Sequence, residues 1–417
     1  MACSLLLQQA TDESAGIVVL PPAFHLRLSC GHRTYDPEKS IFAGSENCVA
    51  HDSCTFDFGR RRLRHRLPKP SNALAISHNL SMKTLVLTFL GLGLLPAADF
   101  PHVEITNGQI QAKIYLPDAK DGYYRATRFD WSGVVYSLQY KGHDYYGPWF
   151  QKIDPKVHDF VYRGPDIVAS PCTAISGPVD EFTPLGWDET KPGGSFIKIG
   201  VGTLRRPDEG KYDNYKLYEI VNPGKRTIAK DHESLELTQE LADSSSGYAY
   251  IYRKTVRLTK GKPEMLLEHS LKNVGRHAVR TSVYNHNFLV LDGQPPGPGL
   301  VITVPFQIQT RRPPTKKLAA IRGNQIVYLK TLENRDIVTT PLQGFSNSPD
   351  DNDIRIESSR LGVGMRITAD RPLSSESLWS IRSVLAMEPF ISMAIEPGEE
   401  FTWKSAYNYY TLPTGTK

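Results

Sequence analysis

The sequence predicts an all-β protein built mainly as one large antiparallel sandwich, and three observations support this class. The chain of 417 residues carries 20 Tyr and 16 Phe, side chains that favour strands. Its 30 Pro and 32 Gly divide the sequence with turns and leave little room for long helices. Apolar and polar residues alternate over many short runs, and no ten-residue stretch carries a clear apolar stripe with the helical period.

The predicted strands follow one another from near residue 100 to the C-terminus. Alternation is clearest at residues 249–259, where Tyr250, Tyr252, Val256 and Leu258 share one face, as is typical of a half-buried strand. The other predicted strands, in chain order, are residues 110–116, 134–140, 196–204, 235–241, 265–274, 278–291, 300–306, 326–332, 354–358, 364–368, 390–396 and 401–411. No linker interrupts this series, so residues 99–417 are predicted to form a single domain.

Residues 82–98 have the pattern of a secretory signal peptide. Met82 and Lys83 precede an apolar run at residues 85–95, too short to span the roughly 30 Å hydrocarbon core of a membrane, and small residues follow it. We therefore predict that residues 1–81 are a non-native or disordered extension upstream of the true start. The mature protein is expected to be periplasmic or secreted, without stable membrane insertion after signal removal. The alternative is a buried strand or short helix at residues 85–95.

Cysteine placement and charge exclude several classes of ligand. Four of the five cysteines lie in the first 54 residues, so the predicted domain holds only Cys172 and no internal disulfide. The spacing of Cys and His near the N-terminus fits no standard zinc finger, and we predict neither a metal nor a cofactor. The formal charge is +5, without a long basic stripe in the predicted domain, so nucleic acid is not an expected partner. A monomer is expected.

Three short motifs give the chain a resemblance to a known superfamily. Residues 284–289 read Tyr-Asn-His-Asn-Phe-Leu, residues 379–389 run from Trp-Ser-Ile-Arg to Met-Glu-Pro, and residues 396–399 read Glu-Pro-Gly-Glu. These stretches resemble the histidine strand, the glutamate strand and the C-terminal turn of galactose mutarotase-like (aldose 1-epimerase-like) proteins. Residues 196–202 also look like a segment of periplasmic members. The resemblance implies a β-supersandwich that binds a sugar or oligosaccharide in a groove on one sheet.

The resemblance also implies the site residues. Glu388 and His286 match the family's catalytic glutamate and histidine, and Asp353 lies where the family often presents an acid that binds the sugar. Trp187, Asp292 and Arg382 complete the predicted substrate-binding residues. A solvated turn remains an alternative for Asp353, and core packing remains one for Trp187. Alternation places Tyr284, Phe288 and Asp292 on the strand face of His286, as in an aromatic-lined groove.

One part of the family pattern is not visible in this sequence. The Asn-Arg-Ile segment and the Leu-His-Gly-Gly segment, which carries the family's first active-site histidine, are replaced by residues 177–182 and 185–189. His143 and His158 are the remaining candidates for a second active-site histidine. If Glu388 is not the base, Glu181 and Glu189 are the next candidates, because they lie in the segment that departs from the pattern.

The chemistry explains why these residue types are needed. Interconverting the anomers of an aldose requires a base that removes the anomeric proton and an acid that protonates the ring oxygen, and we expect the two on opposite sides of the sugar. Glu388 is the expected base, and His286, as an imidazolium, is the expected acid.

Structural roles without catalysis remain open for the same residues. His286 has the alternative role of a hydrogen-bonded core histidine, and Glu388 that of a solvent-facing strand residue. His269 alternates with leucines and is interpreted as a satisfied core histidine. The predicted function is therefore an aldose 1-epimerase-like isomerase, with a non-catalytic carbohydrate-binding protein on the same scaffold as the alternative.

Overall fold

A computed structural model describes residues 100–208 and 210–413 of the chain. Within these ranges the regular structure consists of β-strands and two short 3₁₀ turns, at Leu291–Gly293 and Pro349–Asp351, with no α-helix. The prediction of an all-β fold with large antiparallel sheets is confirmed. The strands are β1 (His102–Thr106), β2 (Ile110–Tyr115), β3 (Val134–Tyr140), β4 (His143–Asp144), β5 (Lys152–Ile153), β6 (Phe160–Arg163), β7 (Asp166–Ala169), β8 (Gly177–Phe182), β9 (Ser195–Lys198), β10 (Gly202–Arg205), β11 (Ile220–Asn222), β12 (Lys225–Lys230), β13 (Ser234–Ala242), β14 (Ala249–Leu258), β15 (Glu264–Asn273), β16 (Val279–Phe288), β17 (Leu300–Thr303), β18 (Ala319–Arg322), β19 (Gln325–Tyr328), β20 (Ile337–Leu342), β21 (Asp353–Ser358), β22 (Val363–Ala369), β23 (Ser375–Ile381), β24 (Val384–Ile395) and β25 (Glu400–Thr411).

Two large sheets carry most of the strands. The larger has ten strands in the order β12-β13-β14-β15-β25-β22-β21-β17-β19-β18, and the smaller has five in the order β20-β23-β24-β16-β8. The remaining strands form a four-stranded sheet, β1-β2-β3-β4, and two three-stranded sheets, β11-β10-β9 and β5-β7-β6. All pairs in the two large sheets are antiparallel, and β5 with β7 is a parallel pair.

The two faces of the five-stranded sheet have different surroundings. One face packs on the ten-stranded sheet: Leu378 and Met387 join an apolar cluster with Leu267 and Tyr407 of that sheet. The other face packs against a cluster rich in aromatic side chains from the connecting segments, among them Trp149. Alternation along each strand assigns neighbouring residues to these two environments.

One glycine fixes where the five-stranded sheet begins. Gly177, the first residue of β8, has φ +72°, and a Cβ added there would lie 2.0 Å from the carbonyl oxygen of Val135 on β3. A side chain at this position would therefore collide with the backbone of the neighbouring strand. Gly177 lets β8 run close to β3 and carry the acidic residues that follow it.

Each of the strands expected from alternation overlaps an observed strand, but the alternation pattern misses others. The predicted strand at residues 196–204 is two strands, β9 and β10, because a turn at Gly200 separates them. The strands that the pattern missed include β8, all six of whose residues are buried. A strand covered on both faces shows no alternation, so its sequence gives no period-two signal.

The expected extension at residues 1–81 and the expected signal peptide at residues 82–98 lie outside the described residues, and the domain boundary at residue 99 stays a prediction. The described part of the chain contains no helix long and apolar enough to cross a membrane.

Candidate active site

The two side chains predicted to be catalytic lie in contact on one face of the five-stranded sheet. We call this face, with Ser377, Tyr284, His286 and Glu388, the site face. Tyr284 on β16 pairs with Phe390 on β24, and continuing that register places His286 opposite Glu388. Nε2 of His286 lies 3.1 Å from Oε1 of Glu388. The hydroxyl of Ser377, on β23, donates to Oε2 of Glu388 over 2.6 Å.

Burial changes the proton affinity of both members of this pair. His286 is 4% exposed and Glu388 is 8% exposed. Burial raises the pKa of Glu388 to about 7, against the hydrogen bond from Ser377 and the positive charge of Arg128. Burial also lowers the pKa of His286 well below its ordinary value, and the charge of Arg128 lowers it further. His286 is thus a neutral imidazole at neutral pH, and the expected imidazolium acid does not fit this environment.

The geometry also differs from the expected acid and base on opposite sides of a sugar. A separation of 3.1 Å between His286 and Glu388 leaves no room for a sugar ring between them. The anomeric oxygen and the ring oxygen of an aldose are bonded to the same carbon, however. Groups that lie beside each other on one side of the ring can therefore reach both oxygens.

A second buried cluster of charges adjoins the pair on the site face. Nε of Arg128 donates to Oε2 of Glu181 over 2.7 Å, and Tyr284 donates its hydroxyl to the same oxygen over 2.5 Å. Lys198 places Nζ 3.5 Å from Oε1 of Glu181. Burial acts to raise the pKa of Glu181, but the charges of Arg128 and Lys198 outweigh it and hold this pKa below its ordinary value. Glu181 is therefore ionised and paired.

Aromatic rings enclose both clusters. The ring of His286 stacks on Phe288 at a centroid distance of 3.7 Å. The guanidinium carbon of Arg128 lies 4.5 Å from the ring centroid of Phe129 and 4.7 Å from that of Tyr215. An aromatic-lined sheet surface was expected around His286, and the structure shows one in which the rings also bury the charged groups.

Two of the four predicted substrate-binding residues belong to turns outside the site face. Asp292 follows β16 in a 3₁₀ turn, where its carboxylate contacts Nδ1 of His143 at 2.8 Å and accepts the backbone N–H of Asp144 at 2.9 Å. Strand β16 ends at Phe288, so side chains after it no longer alternate between the two faces of the sheet. For this reason Asp292 does not lie on the face that carries His286. Arg382, in the turn between β23 and β24, donates to the backbone carbonyls of Pro165 and Asn334.

The other two predicted substrate-binding residues, Asp353 and Trp187, also contact groups away from the site face. Asp353 is on β21 of the ten-stranded sheet and forms a two-bond ion pair with Arg366, at 2.8 and 2.6 Å. Trp187 is 5% exposed, and Arg206 covers its ring at 4.7 Å. The structure thus brings together Glu388 and His286 and places Asp292, Arg382, Asp353 and Trp187 in other contacts.

The candidates for a second histidine have carboxylate partners of their own. His143 is paired with Asp292, and His158 places Nε2 2.8 Å from Asp213. His158 also packs against Tyr215, with ring centroids 5.0 Å apart. Tyr215 also contacts Arg128, so the ring of Tyr215 lies between His158 and the charged cluster around Glu181.

Sequence reasoning missed Arg128 and Ser377. Arg128 is in an irregular segment and reaches Tyr284, 156 residues away in the chain. Ser377 is opposite Glu388 in the β23–β24 pair, so correct strand pairing would have found it. Glu181, named only as a fallback base, proves to be the ionised centre of the second cluster.

The opposite face of the same strands carries a separate buried network. Asp180 contacts Lys254 at 2.7 Å and Nε2 of His269 at 3.1 Å. Burial acts to raise the pKa of Asp180. The charges of Lys254 and His269 outweigh burial and hold this pKa well below its ordinary value. His269, interpreted as a satisfied core histidine, is buried and stacks on Trp403, but its Nδ1 has no hydrogen-bond partner among the described residues.

No group of three or more His, Cys, Asp or Glu side chains in the described ranges has an arrangement that could hold a metal ion. Cys172, the cysteine within those ranges, is a buried free thiol.

Comparison with known proteins gives similarity to solved structures only. No family model matches the chain. No curated protein matches it. The similar structures include the GalM/aldose epimerase homologue from C. elegans, at 13% identity and TM-score 0.44, with 75% of this chain and 99% of that chain covered.

Two further similar structures are galactose mutarotase-like proteins. The one from Lactobacillus casei is 11% identical, with TM-score 0.42 and coverage of 74% of this chain and 100% of its own. The one from Clostridium acetobutylicum is 11% identical, with TM-score 0.43 and coverage of 75% and 95%. Aldose 1-epimerase-like and galactose mutarotase-like proteins are thus among the solved structures to which this chain is similar.

Proposed function

We propose that this protein acts on the anomeric centre of a sugar, as an aldose 1-epimerase-like isomerase in which Glu388 moves the proton. One observation carries the proposal: a carboxyl group with a pKa of about 7 contacts a neutral imidazole on a ring-lined sheet face. A group that titrates near the working pH is suited to both accept and return a proton. The motif resemblance around His286 and Glu388 supports the same chemistry.

The proton path needs one carboxyl group. Ionised Glu388 takes the proton of the anomeric hydroxyl and returns it to the ring oxygen. As the proton moves, the bond between the anomeric carbon and the ring oxygen breaks, and a carbonyl forms at the anomeric carbon. After rotation about the adjacent carbon–carbon bond, the reverse sequence closes the ring on the other face. The proton that leaves one oxygen reaches the other, so no co-reactant is required.

The neighbours of Glu388 have positioning roles in this scheme. Ser377 donates a hydrogen bond to one carboxylate oxygen over 2.6 Å, and Nε2 of His286 lies 3.1 Å from the other. Both contacts orient the carboxylate, and the hydrogen bond from Ser377 stabilises its ionised form. The positive charge of Arg128 opposes the effect of burial and limits the rise in the pKa of Glu388 to about 7.

The test is the exchange rate of sugar anomers, measured by polarimetry or NMR saturation exchange on fresh α-glucose and α-galactose. Glu388→Gln keeps the shape of the side chain but cannot accept the proton, so a rate loss of about 10² to 10⁴ is expected. Glu104→Gln, the same change at an exposed position on β1, is the matched control and keeps the wild-type rate. Full exchange activity in the Glu388→Gln protein would contradict the assignment.

One observation favours the alternative, a carbohydrate-binding protein without turnover. The catalytic pair is only 4% and 8% exposed, so a sugar has little access to it in this conformation. This alternative predicts that the wild-type protein binds sugars but leaves the rate of anomer exchange at that of the buffer.

We also propose that the protein acts after export, in the periplasm or outside the cell. The signal-peptide pattern at residues 82–98 supports this location.

A further inference from the structure

The backbone pairing between β16 and β24 is interrupted where these strands carry the catalytic pair. Regular antiparallel pairing ends with Tyr284 opposite Phe390. It reappears in the same register as an isolated bridge between Leu289 and Leu385. Glu388 lies within this gap, so the regular ladder of backbone hydrogen bonds does not hold the two strands together at the pair.

The sequence of β24 contributes to the gap. In an antiparallel ladder, every second residue exchanges two N–H···O bonds with the residue opposite. The two residues of the isolated bridge exchange both bonds, at 2.8 and 3.0 Å. Two positions further along each strand, the same alternation assigns Asn287 to Met387. The next position assigns Asn285 to Pro389, and proline has no backbone N–H with which to complete the exchange.

The side chain of Asn287 crosses this gap. Its Nδ2 donates to the backbone carbonyl of Met387 over 2.9 Å and to that of Asn285 over 3.2 Å. Asn287 directly follows His286 in the chain. Met387 directly precedes Glu388. One amide group therefore ties together the two backbone positions that adjoin the pair.

The surroundings of this amide hold it in one orientation. Asn287 is 0% exposed. The hydroxyl of Tyr407, on β25 of the ten-stranded sheet, donates to Oδ1 of Asn287 over 2.9 Å. Both ends of the amide thus have partners, and a rotation that broke these bonds would leave buried polar groups unpaired.

We propose that Asn287 is a positioning residue of the site, which holds Glu388 on β24 against His286 on β16 in place of regular backbone pairing. The inference rests on the proposed function for the reaction that this contact serves. Alternation along β16 puts Asn287 on the face opposite His286. It therefore acts through the backbone on each side of the pair and does not touch the sugar.

The experiment compares Asn287→Ala with Asn273→Ala. Asn273 is also 0% exposed, and its Nδ2 also donates to two backbone carbonyls. These carbonyls belong to His277, at 2.9 Å, and to Ile395, the last residue of β24, at 2.8 Å. The two variants remove the same group from equally buried places, so similar losses of stability in urea unfolding are expected. Of the two asparagines, Asn287 is the one that adjoins the pair.

Two measurements report on the pair itself. The first is NMR of the His286 ring: its Nε2 lies 3.1 Å from Glu388, so its resonances should shift as Glu388 ionises, with a midpoint at about pH 7. Glu181 is ionised, Arg128 stays protonated beside it, and burial raises the pKa of Tyr284 well above its ordinary value. These neighbours therefore keep one charge state near pH 7. The second measurement is the rate of anomer exchange with fresh α-glucose.

Both measurements should change in Asn287→Ala. The pH-dependent shift of the His286 ring should shrink by about half, because the effect of a charge weakens with distance. The exchange rate should fall by about 10- to 100-fold, since a small misplacement of a reacting group can cost about 10² in rate. Asn273→Ala should keep both at the wild-type values. An unchanged His286 shift in Asn287→Ala, or equal changes in the two variants, overturns the positioning role.

The outcomes separate this inference from the proposed function. If the wild-type protein does not exchange anomers but Asn287→Ala still reduces the His286 shift, the positioning role stands and the isomerase assignment fails. If Asn287→Ala does not fold, Asn287→Ser and Asn273→Ser give the same comparison and are judged by the same outcomes. Serine keeps a polar group in the interior but is too short to reach the carbonyl of Met387.

Discussion

Glu376 carries a cost in stability that depends on pH. This residue is in β23, on the face opposite Ser377, and is 0% exposed. Neither of its carboxylate oxygens has a hydrogen-bond partner among the described residues. Burial alone raises its pKa from 4.5 to about 8. In the folded protein at neutral pH, Glu376 is therefore protonated, whereas in the unfolded chain it is ionised.

The size of this effect follows from the pKa change. A rise from 4.5 to about 8 corresponds to about 5 kcal/mol in the free energy of unfolding. The folded state holds the proton more tightly, so stability is greatest below pH 4.5 and falls as the pH rises toward 8. Between pH 5.5 and 8.5 this single group should lower the free energy of unfolding by about 3 kcal/mol.

Glu376→Gln tests this reasoning, because the amide has nearly the same shape but does not ionise. Urea unfolding at pH 5.5 and pH 8.5 gives the free energy of each protein. The variant should lose about 3 kcal/mol less than the wild type between these two pH values. Glu104→Gln, at an exposed position, should follow the wild type. A difference between wild type and Glu376→Gln that is the same at both pH values would refute the assignment of a buried, unpaired carboxyl group.

Three further predictions concern backbone strain, the pH dependence of activity and processing. Gly177→Ala should destabilise the fold by more than about 3 kcal/mol in urea unfolding. Gly108→Ala, also at positive φ but with nothing within 4 Å of the added Cβ, should cost only about 1–2 kcal/mol, and equal losses would show that the backbone contact does not matter. The rate of anomer exchange should rise with pH through about 7, as Glu388 ionises. Ser377→Ala should move that rise to higher pH, since its hydrogen bond lowers the pKa of Glu388, and an unmoved profile would argue against Glu388 as the titrating group. Intact-mass measurement of protein exported by a native host should give a species that begins near Asp99, and recovery of the full-length chain would contradict the signal-peptide interpretation.

The sequence by itself determined the fold class, and its motifs predicted His286 and Glu388 as the central pair of the candidate site. A half-buried strand must alternate apolar and polar side chains, so strands such as β14 could be recognised from their own residues. The motifs around His286 and Glu388 identified these two side chains because each motif is a short local string. β8 gave no such signal because all six of its residues are buried. Its two acidic residues, Asp180 and Glu181, consequently had no predicted partners.

Tertiary structure alone decided which charges meet and which protonation states they hold. Arg128 meets Tyr284 across 156 residues and Lys254 meets Asp180 across 74, separations at which no local pattern operates. The pKa values of Glu388 and His286 move in opposite directions for one reason, which is that burial disfavours the charged form of each. Burial is a property of the packed sheets and of the rings that cover them, so the neutral state of His286 at neutral pH is read from the folded protein.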